Sequence, residues 1–179
     1  MPKIVDHDSY RAELVARAMP VFRELGYHGL SMRRIASQLG VSKSSLYHYF
    51  PSKKALFDAC SERATGFPIA ELPADAPPAE RYEALVEFAE LLEQEFRGEV
   101  TLLLDYVRPM SPQDVRSSES LEGALTAFRS AIAAIVGRES ADAALAQVFG
   151  LLLIRIFDGG ATGFDTLRCL FPAKSSLGD

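Results

Sequence analysis

A chain of 179 residues, 48% hydrophobic and 24% charged, is long enough to bury one core or two small ones, and this composition excludes a disordered chain. Its net charge of −5 argues against a nucleic-acid binder only while the chain is taken whole. Residues 1–64 carry ten Lys and Arg against six Asp and Glu, a net +4, and residues 65–179 carry nine against eighteen, a net −9. A basic head on an acidic body confines any polyanion to the first third, because release of counterions from phosphates rewards local positive charge.

Apolar residues recur at three and four along almost the whole chain, so the fold class is all-α. The first helix shows Tyr10, Leu14, Ala18, Phe22 and Leu25 on one face and stops at Gly26. Pro20 lies inside it and predicts a kink, since its ring meets the carbonyl of Ala16. Three short helices follow. Ser31 caps one that turns Met32, Ile35, Ala36 and Leu39 inward and stops at Gly40. Ser42 caps a second that runs to about Tyr49, and Ser52, after Pro51, caps a third with Leu56, Phe57 and Cys60. Residues 66–79 hold four prolines and mark a linker, dividing the chain into domains 1–65 and 66–179.

The second domain opens with a helix over 79–97, striped by Tyr82, Leu85, Ala89, Leu92 and Phe96. A separate helix over 99–107 is apolar nearly all round (Leu102, Leu103, Leu104, Tyr106, Val107), which predicts burial at the centre. After Pro109, the run Ser111-Pro112 with Asp114 restarts a helix that reaches Val136, with Leu121, Leu125, Phe128, Ile132 and Ile135 in register. Ser140 starts another that ends at Phe157 before Gly159-Gly160, and a last short helix occupies 163–170.

The segment with chemistry in it is residues 29–57, whose local physics is that of a helix-turn-helix. Ile35, Ala36 and Leu39 pack a short helix, Gly40 permits a positive-φ turn, and Val41 plugs the elbow. The second helix then begins with Ser42, Lys43, Ser44 and Ser45, small polar groups around one cation that suit close backbone approach in a major groove. Around this start stand groups suited to phosphate: Ser31 and Arg33, then Tyr47, His48 and Tyr49, then Lys53 at a helix N-terminus. Phe50 reads as a core aromatic and Lys54 as a solvated cation, leaving Lys43 and Lys53 as the principal cations.

These residues resemble the DNA-binding region of the tetracycline-repressor (TetR/AcrR) family. The shared pattern stands here as Gly26-Tyr27, Ser31, Ile35-Ala36, Gly40-Val41-Ser42, Leu46-Tyr47-His48-Tyr49-Phe50 and Ser52-Lys53-Lys54-Ala55-Leu56, within about residues 9–60. The resemblance implies that Arg33, Lys43, Ser44, Ser45, Tyr47, His48, Tyr49 and Lys53 occupy DNA-contacting positions. Ser44 stands where many relatives have glycine, which leaves the operator sequence open.

One reading unit offers little surface for specific affinity, so binding to a palindromic double-stranded operator calls for a homodimer. The helices over about 119–136 and 140–157 carry the apolar excess for it, with Leu125, Ile132, Phe149, Leu152, Leu153 and Ile156 as the expected interface; the alternative is the core of a monomer. The resemblance also implies a small effector. Phe88, Leu92, Phe96, Leu103, Tyr106 and Phe128 would give it apolar and aromatic walls. Asp105 and Arg108 read as an ion pair, and Arg155 as pairing with Asp158 or reaching outward to water.

Cys60 and Cys169 stand alone in apolar helical patterns and read as small buried hydrophobes in a reducing cytoplasm, with a redox pair as the alternative. No metal or cofactor spacing appears, and no HExxH, GxSxG or phosphate-cradling glycine loop, so an enzyme is not expected. The N-terminus has no apolar targeting segment. The stretch Val148–Phe157 is about half the length of a membrane span and is interrupted by Arg155, so the chain is expected in the cytoplasm and off the membrane. The reading is a ligand-responsive repressor, with activation left open; the competing reading is a helical adaptor that kept the head without binding DNA.

Overall fold

The computed structural model describes residues 6–66, 72–73 and 75–171, and among these all regular structure is helical. The elements are α1 (His7–Leu25), α2 (Met32–Leu39), α3 (Lys43–Tyr49), α4 (Lys53–Ala64), α5 (Pro78–Val107), α6 (Pro112–Arg116), α7 (Glu119–Val136) and α8 (Ala141–Asp158). Short 3-10 turns occupy Arg138–Ser140 and Phe164–Leu170. Part of the proline-rich 66–79 stretch lies outside the described residues.

Two compact units emerge from the packing: residues 1–66 with 98–124, and residues 67–97 with 125–179. The first is built on α1, α2, α3 and α4, whose apolar faces meet at Leu14, Ala18, Phe22, Ile35, Leu46, Leu56 and Cys60, all fully buried. Leu102 and Tyr106 from the last turns of α5 join this core. The units therefore differ from a single cut after residue 65.

The short helices form because each has a side chain ready for its loose N–H groups. Asp6 accepts from Asp8 and Ser9, Ser31 from Arg34, Ser42 from Ser45, and Ser52 from Ala55. Gly40 closes α2 in the left-handed region at φ 65°, ψ 28°, where a side chain would be strained. α1 runs unbroken through Pro20, which sits on its exposed side.

Several sequence expectations are corrected. α5 is one helix of 30 residues rather than two, because Gly98 stays helical and the stem of Arg23 packs 3.5 Å from where its Cβ would stand. The 99–107 stretch is buried along one stripe only: Leu102 and Tyr106 are covered, whereas Leu103 and Leu104 are exposed. The expected 111–136 helix is divided at Ser117-Ser118, where the Ser117 hydroxyl donates to the Asp114 carbonyl and competes with the helix. Ser140 makes no side-chain cap, being itself part of the 3-10 turn before α8. The short helix expected over 163–170 is present over Phe164–Leu170, with 3-10 geometry. Cys169 is exposed, its thiol against Gln147 and Thr166, while Cys60 is buried as expected.

Residues 138–158 are long and apolar enough by composition to cross a membrane, a longer run than the 148–157 stretch suggests. Ala144, Leu145, Val148, Leu151 and Leu152 are nevertheless buried within the protein, and Arg155 is ion-paired to Glu93 at 2.6 Å, as in a core helix of a folded domain. That pair replaces the expected Arg155–Asp158 contact. Asp158 instead accepts from the backbone of Gly160, Ala161 and Thr162, closing the helix end.

Candidate nucleic-acid interface

α2 and α3 are joined by Gly40, Val41 and Ser42, and the joint is rigid because its polar groups are already satisfied. The Gly40 N–H donates to Ala36 and Ser37, Val41 N–H to Ala36, and the Ser42 hydroxyl caps α3. α3 buries only Leu46, and the C-cap Phe50 is buried as a core aromatic. The rest of α3 faces water: Lys43, Ser44, Tyr47 and His48 are exposed, and Ser45 and Tyr49 are half-buried.

The expected DNA-contacting residues fall into two sets. Ser31 and Ser42 are exposed at the starts of α2 and α3, but each hydroxyl also serves as a helix cap. Ser44 folds its hydroxyl onto that of Ser42 at 3.0 Å, at the start of α3. Arg33 makes no side-chain hydrogen bond or ion pair among the described residues, and Lys43 lies only over the Tyr47 ring at 5.5 Å. These two cations are free to meet a phosphate or a base edge.

Lys53 is differently placed. Its ammonium donates to the carbonyls of Tyr27 at 2.7 Å and Leu30 at 2.8 Å and sits 4.1 Å from the centre of the Tyr27 ring. Burial pushes its pKa down from the ordinary lysine value, and the Asp105 charge opposes this. Two of its three donors thus tie α4 to the α1–α2 turn, leaving one for an outside partner. Lys54, exposed as expected, is bonded to Asp58 at 2.8 Å and to the Ser120 hydroxyl at 3.2 Å, and so is less free than Lys43.

The turn after α1 is anchored from below. Gly26 takes φ 71°, and a Cβ there would stand 2.9 Å from Asp105 Oδ2. Asp105 accepts the His28 N–H at 3.0 Å and pairs with Arg108 at 3.2 Å. The His28 hydrogen bond holds the Asp105 carboxyl below the usual range, with Arg108 acting in the same direction. Tyr27 stacks edge-on to Phe57 at 5.0 Å and to Tyr106 at 4.8 Å, which places Tyr106 in this unit's core.

Sequence reading gave no role to His7, whose ring nitrogen lies 2.9 Å from the Tyr49 hydroxyl. Only the α1–α3 packing brings them together, across 42 residues of sequence.

These features (a glycine-hinged helix pair, a second helix with one buried residue, one cation without an ion pair at the start of each helix) coincide with a match to known regulators. Residues 14–60 match the family described as bacterial regulatory proteins, tetR family. They belong to it. The curated regulator RutR of Escherichia coli is 44% identical over 46 residues, which are 26% of this chain and 22% of RutR, so the matched segment spans about a fifth of that relative. Structural likeness extends further. Salmonella enterica GusR superposes with a TM-score of 0.62 at 20% identity, covering 94% of this chain and 98% of GusR. The flavonoid-responsive regulator FrrA superposes with a TM-score of 0.54 at 26% identity, covering 92% of each chain. The family match covers the head, and the structural likeness extends the shared all-helical fold over most of the chain.

In the tetR-fold body, the residues expected around an effector divide. Phe88, Leu92 and Phe96 are buried on successive turns of α5, and Phe96 and Phe128 each meet Phe149 edge-on, at 5.5 and 5.1 Å. Leu103 is exposed, and Tyr106 packs on Tyr27 and Phe57. The expected dimer residues divide too. Ile132 and Leu152 are covered within the protomer and offer no surface, and Phe149 and Ile156 are half-buried. Leu125 and Leu153 are exposed, and the structure adds Ile154 and Phe157, the latter 82% exposed.

Proposed function

We propose that this protein is a ligand-responsive transcriptional repressor that acts in the cytoplasm and binds a palindromic operator as a homodimer. The observation that carries it is a capped, pre-ordered helix pair on which, among the described residues, Lys43 at the start of α3 and Arg33 in the first turn of α2 have no ion-pair or hydrogen-bond partner. α3 enters the major groove, with Lys43, Ser44, Ser45 and Tyr47 toward base edges. Arg33, Tyr49, His48 and the third donor of Lys53 meet backbone phosphates, and the Ser31 and Ser42 helix starts lend their N–H groups.

The partner for dimerisation is a second copy, meeting through Leu125, Leu153, Ile154 and Phe157 of α7 and α8. An exposed phenylalanine beside two exposed aliphatics on one helix face is the kind of surface a two-fold contact covers. The second unit, residues 67–97 with 125–179, serves this contact and the effector. Phe88, Leu92, Phe96 and Phe128 would give it an apolar, aromatic wall, which suits an apolar or aromatic effector; the similar flavonoid-responsive regulator FrrA points the same way. No catalytic step is assigned to any residue.

The test is retention of random-sequence duplexes by the purified protein at two salt concentrations, followed by sequencing. Enrichment of one palindrome, with affinity falling steeply as salt rises, is the expected result. No enrichment and no retention at low salt would remove the DNA-binding reading for the protein without effector.

A further inference from the structure

The ring of Tyr49 is wedged between two helices. Tyr10 of α1 lies edge-on to it at 5.3 Å, His48 at 5.0 Å, and His7, in the first turn of α1, at 5.9 Å. This packing fixes the ring but leaves the hydroxyl hydrogen free to rotate. What sets it is His7, whose Nδ1 lies 2.9 Å from the Tyr49 oxygen. A neutral imidazole carries its one proton on either nitrogen, so the pair works in two senses. With Nδ1 bare, the tyrosine donates to His7 and has nothing to give a ligand. With the proton on Nδ1, His7 donates to the tyrosine oxygen, and the hydroxyl hydrogen turns outward.

We propose that His7 is a positioning residue for DNA: its Nδ1–H holds the Tyr49 oxygen, so that the Tyr49 hydroxyl donates to a backbone phosphate at the end of α3. The inference rests on the DNA-binding reading above and extends the interface to the first turn of α1. A phosphate favours the second sense, because the outward hydroxyl then makes a charge-assisted hydrogen bond. His7 and Tyr49 are exposed and half-buried respectively, so the contact is reachable. Being to phosphate, it adds affinity without sequence preference.

The experiment is a double-mutant cycle on the full chain, read by anisotropy with the selected duplex, with thermal melting as a control for folding. Tyr49→Phe and His7→Ala should each weaken binding by roughly tenfold, the scale of one charge-assisted hydrogen bond. The double variant should bind no worse than Tyr49→Phe, and His7→Asn, which keeps an N–H donor near the same position, should recover most of the loss. Replacing one flanking phosphate by a neutral methylphosphonate should weaken the wild type similarly and leave Tyr49→Phe and His7→Ala nearly unchanged. Wild-type affinity in His7→Ala, additive losses in the double variant, or no such phosphate would overturn the proposal. A wild type that retains no duplex would show itself separately and would take the parent reading down with it.

Discussion

The head and the body use helices for opposite ends. In the head, α2 and α3 are only 8 and 7 residues long, each begins at a serine cap, and what they show to water is polar. In the body, α8 runs 18 residues, mostly apolar, and shows Leu153, Ile154 and Phe157 to water. Short helices are marginal on their own, so the head supplies caps, the Lys53 clamp and a shared core to hold them. A long apolar helix needs no such help but has more apolar surface than its own core covers. A surface pre-ordered by caps suits a rigid polyanion, whereas an uncovered apolar face suits a second apolar face.

The contrast can be broken most forcibly at α8. Ile154→Glu with Phe157→Glu should abolish self-association, a loss of at least roughly 4 kcal/mol from burying two large side chains per protomer. Sedimentation should show a monomer with unchanged helical content. If the double variant stays dimeric, the exposed face of α8 is not the contact.

In the head the effects should fall on DNA. Lys43→Ala should cost about 1–3 kcal/mol and relax the sequence preference, whereas Arg33→Ala should weaken all sequences alike and lower the salt slope by about 1 for each head engaged. Binding isotherms on matched and scrambled duplexes at several salt concentrations separate the two. Equal losses on both duplexes for Lys43→Ala would move it to the phosphate-contacting group.

Lys53 sharpens the comparison because it belongs to both fold and surface. Lys53→Met keeps the stem but leaves the Tyr27 and Leu30 carbonyls without their donor, and should cost about 1.5 kcal/mol of head stability by denaturant melting. A DNA defect with no change in melting would instead make it a phosphate contact alone.

The smallest effect concerns acid. Asp105 has a folded pKa held below the ordinary value, which is about 4 in an unfolded chain. Its contribution is therefore complete above that value and is lost as pH falls through the folded value. Asp105→Asn should lower stability by under about 1 kcal/mol at neutral pH and flatten the acid limb of the stability profile. An unchanged acid limb would show that the carboxylate does not hold the His28 turn.

Local signals explain why the head could be read from sequence. A serine cap, a Gly40 turn and the apolar positions of α2 depend on neighbours within four or five residues, and each stands where the sequence places it. Cys60, expected inside, is buried, and the pKa of its thiol is pushed up to about 12, chiefly by burial, which keeps it protonated and unreactive. What failed was non-local. The break expected between residues 97 and 99 does not occur: Gly98 is helical and packs against Arg23, 75 residues away in sequence. For Arg155 the nearby sequence offers only Asp158 or an outward path to water, but Glu93 on α5 holds it in the structure. Periodicity alone made Ile132 and Leu152 seem available for a partner, although the protomer covers them itself. His7 drew no attention because its hydrogen bond exists only once α1 packs against α3.

The most direct test of the central claim is the stoichiometry of the complex, measured by sedimentation and footprinting on the duplex that the protein itself selects. Two protomers per duplex are expected, protecting two half-sites about one helical turn apart, with Ile154→Glu/Phe157→Glu losing both the second protomer and most of the affinity. One protomer per duplex, or full affinity in the monomeric variant, would contradict the account of two heads held on one operator by the apolar face of α8.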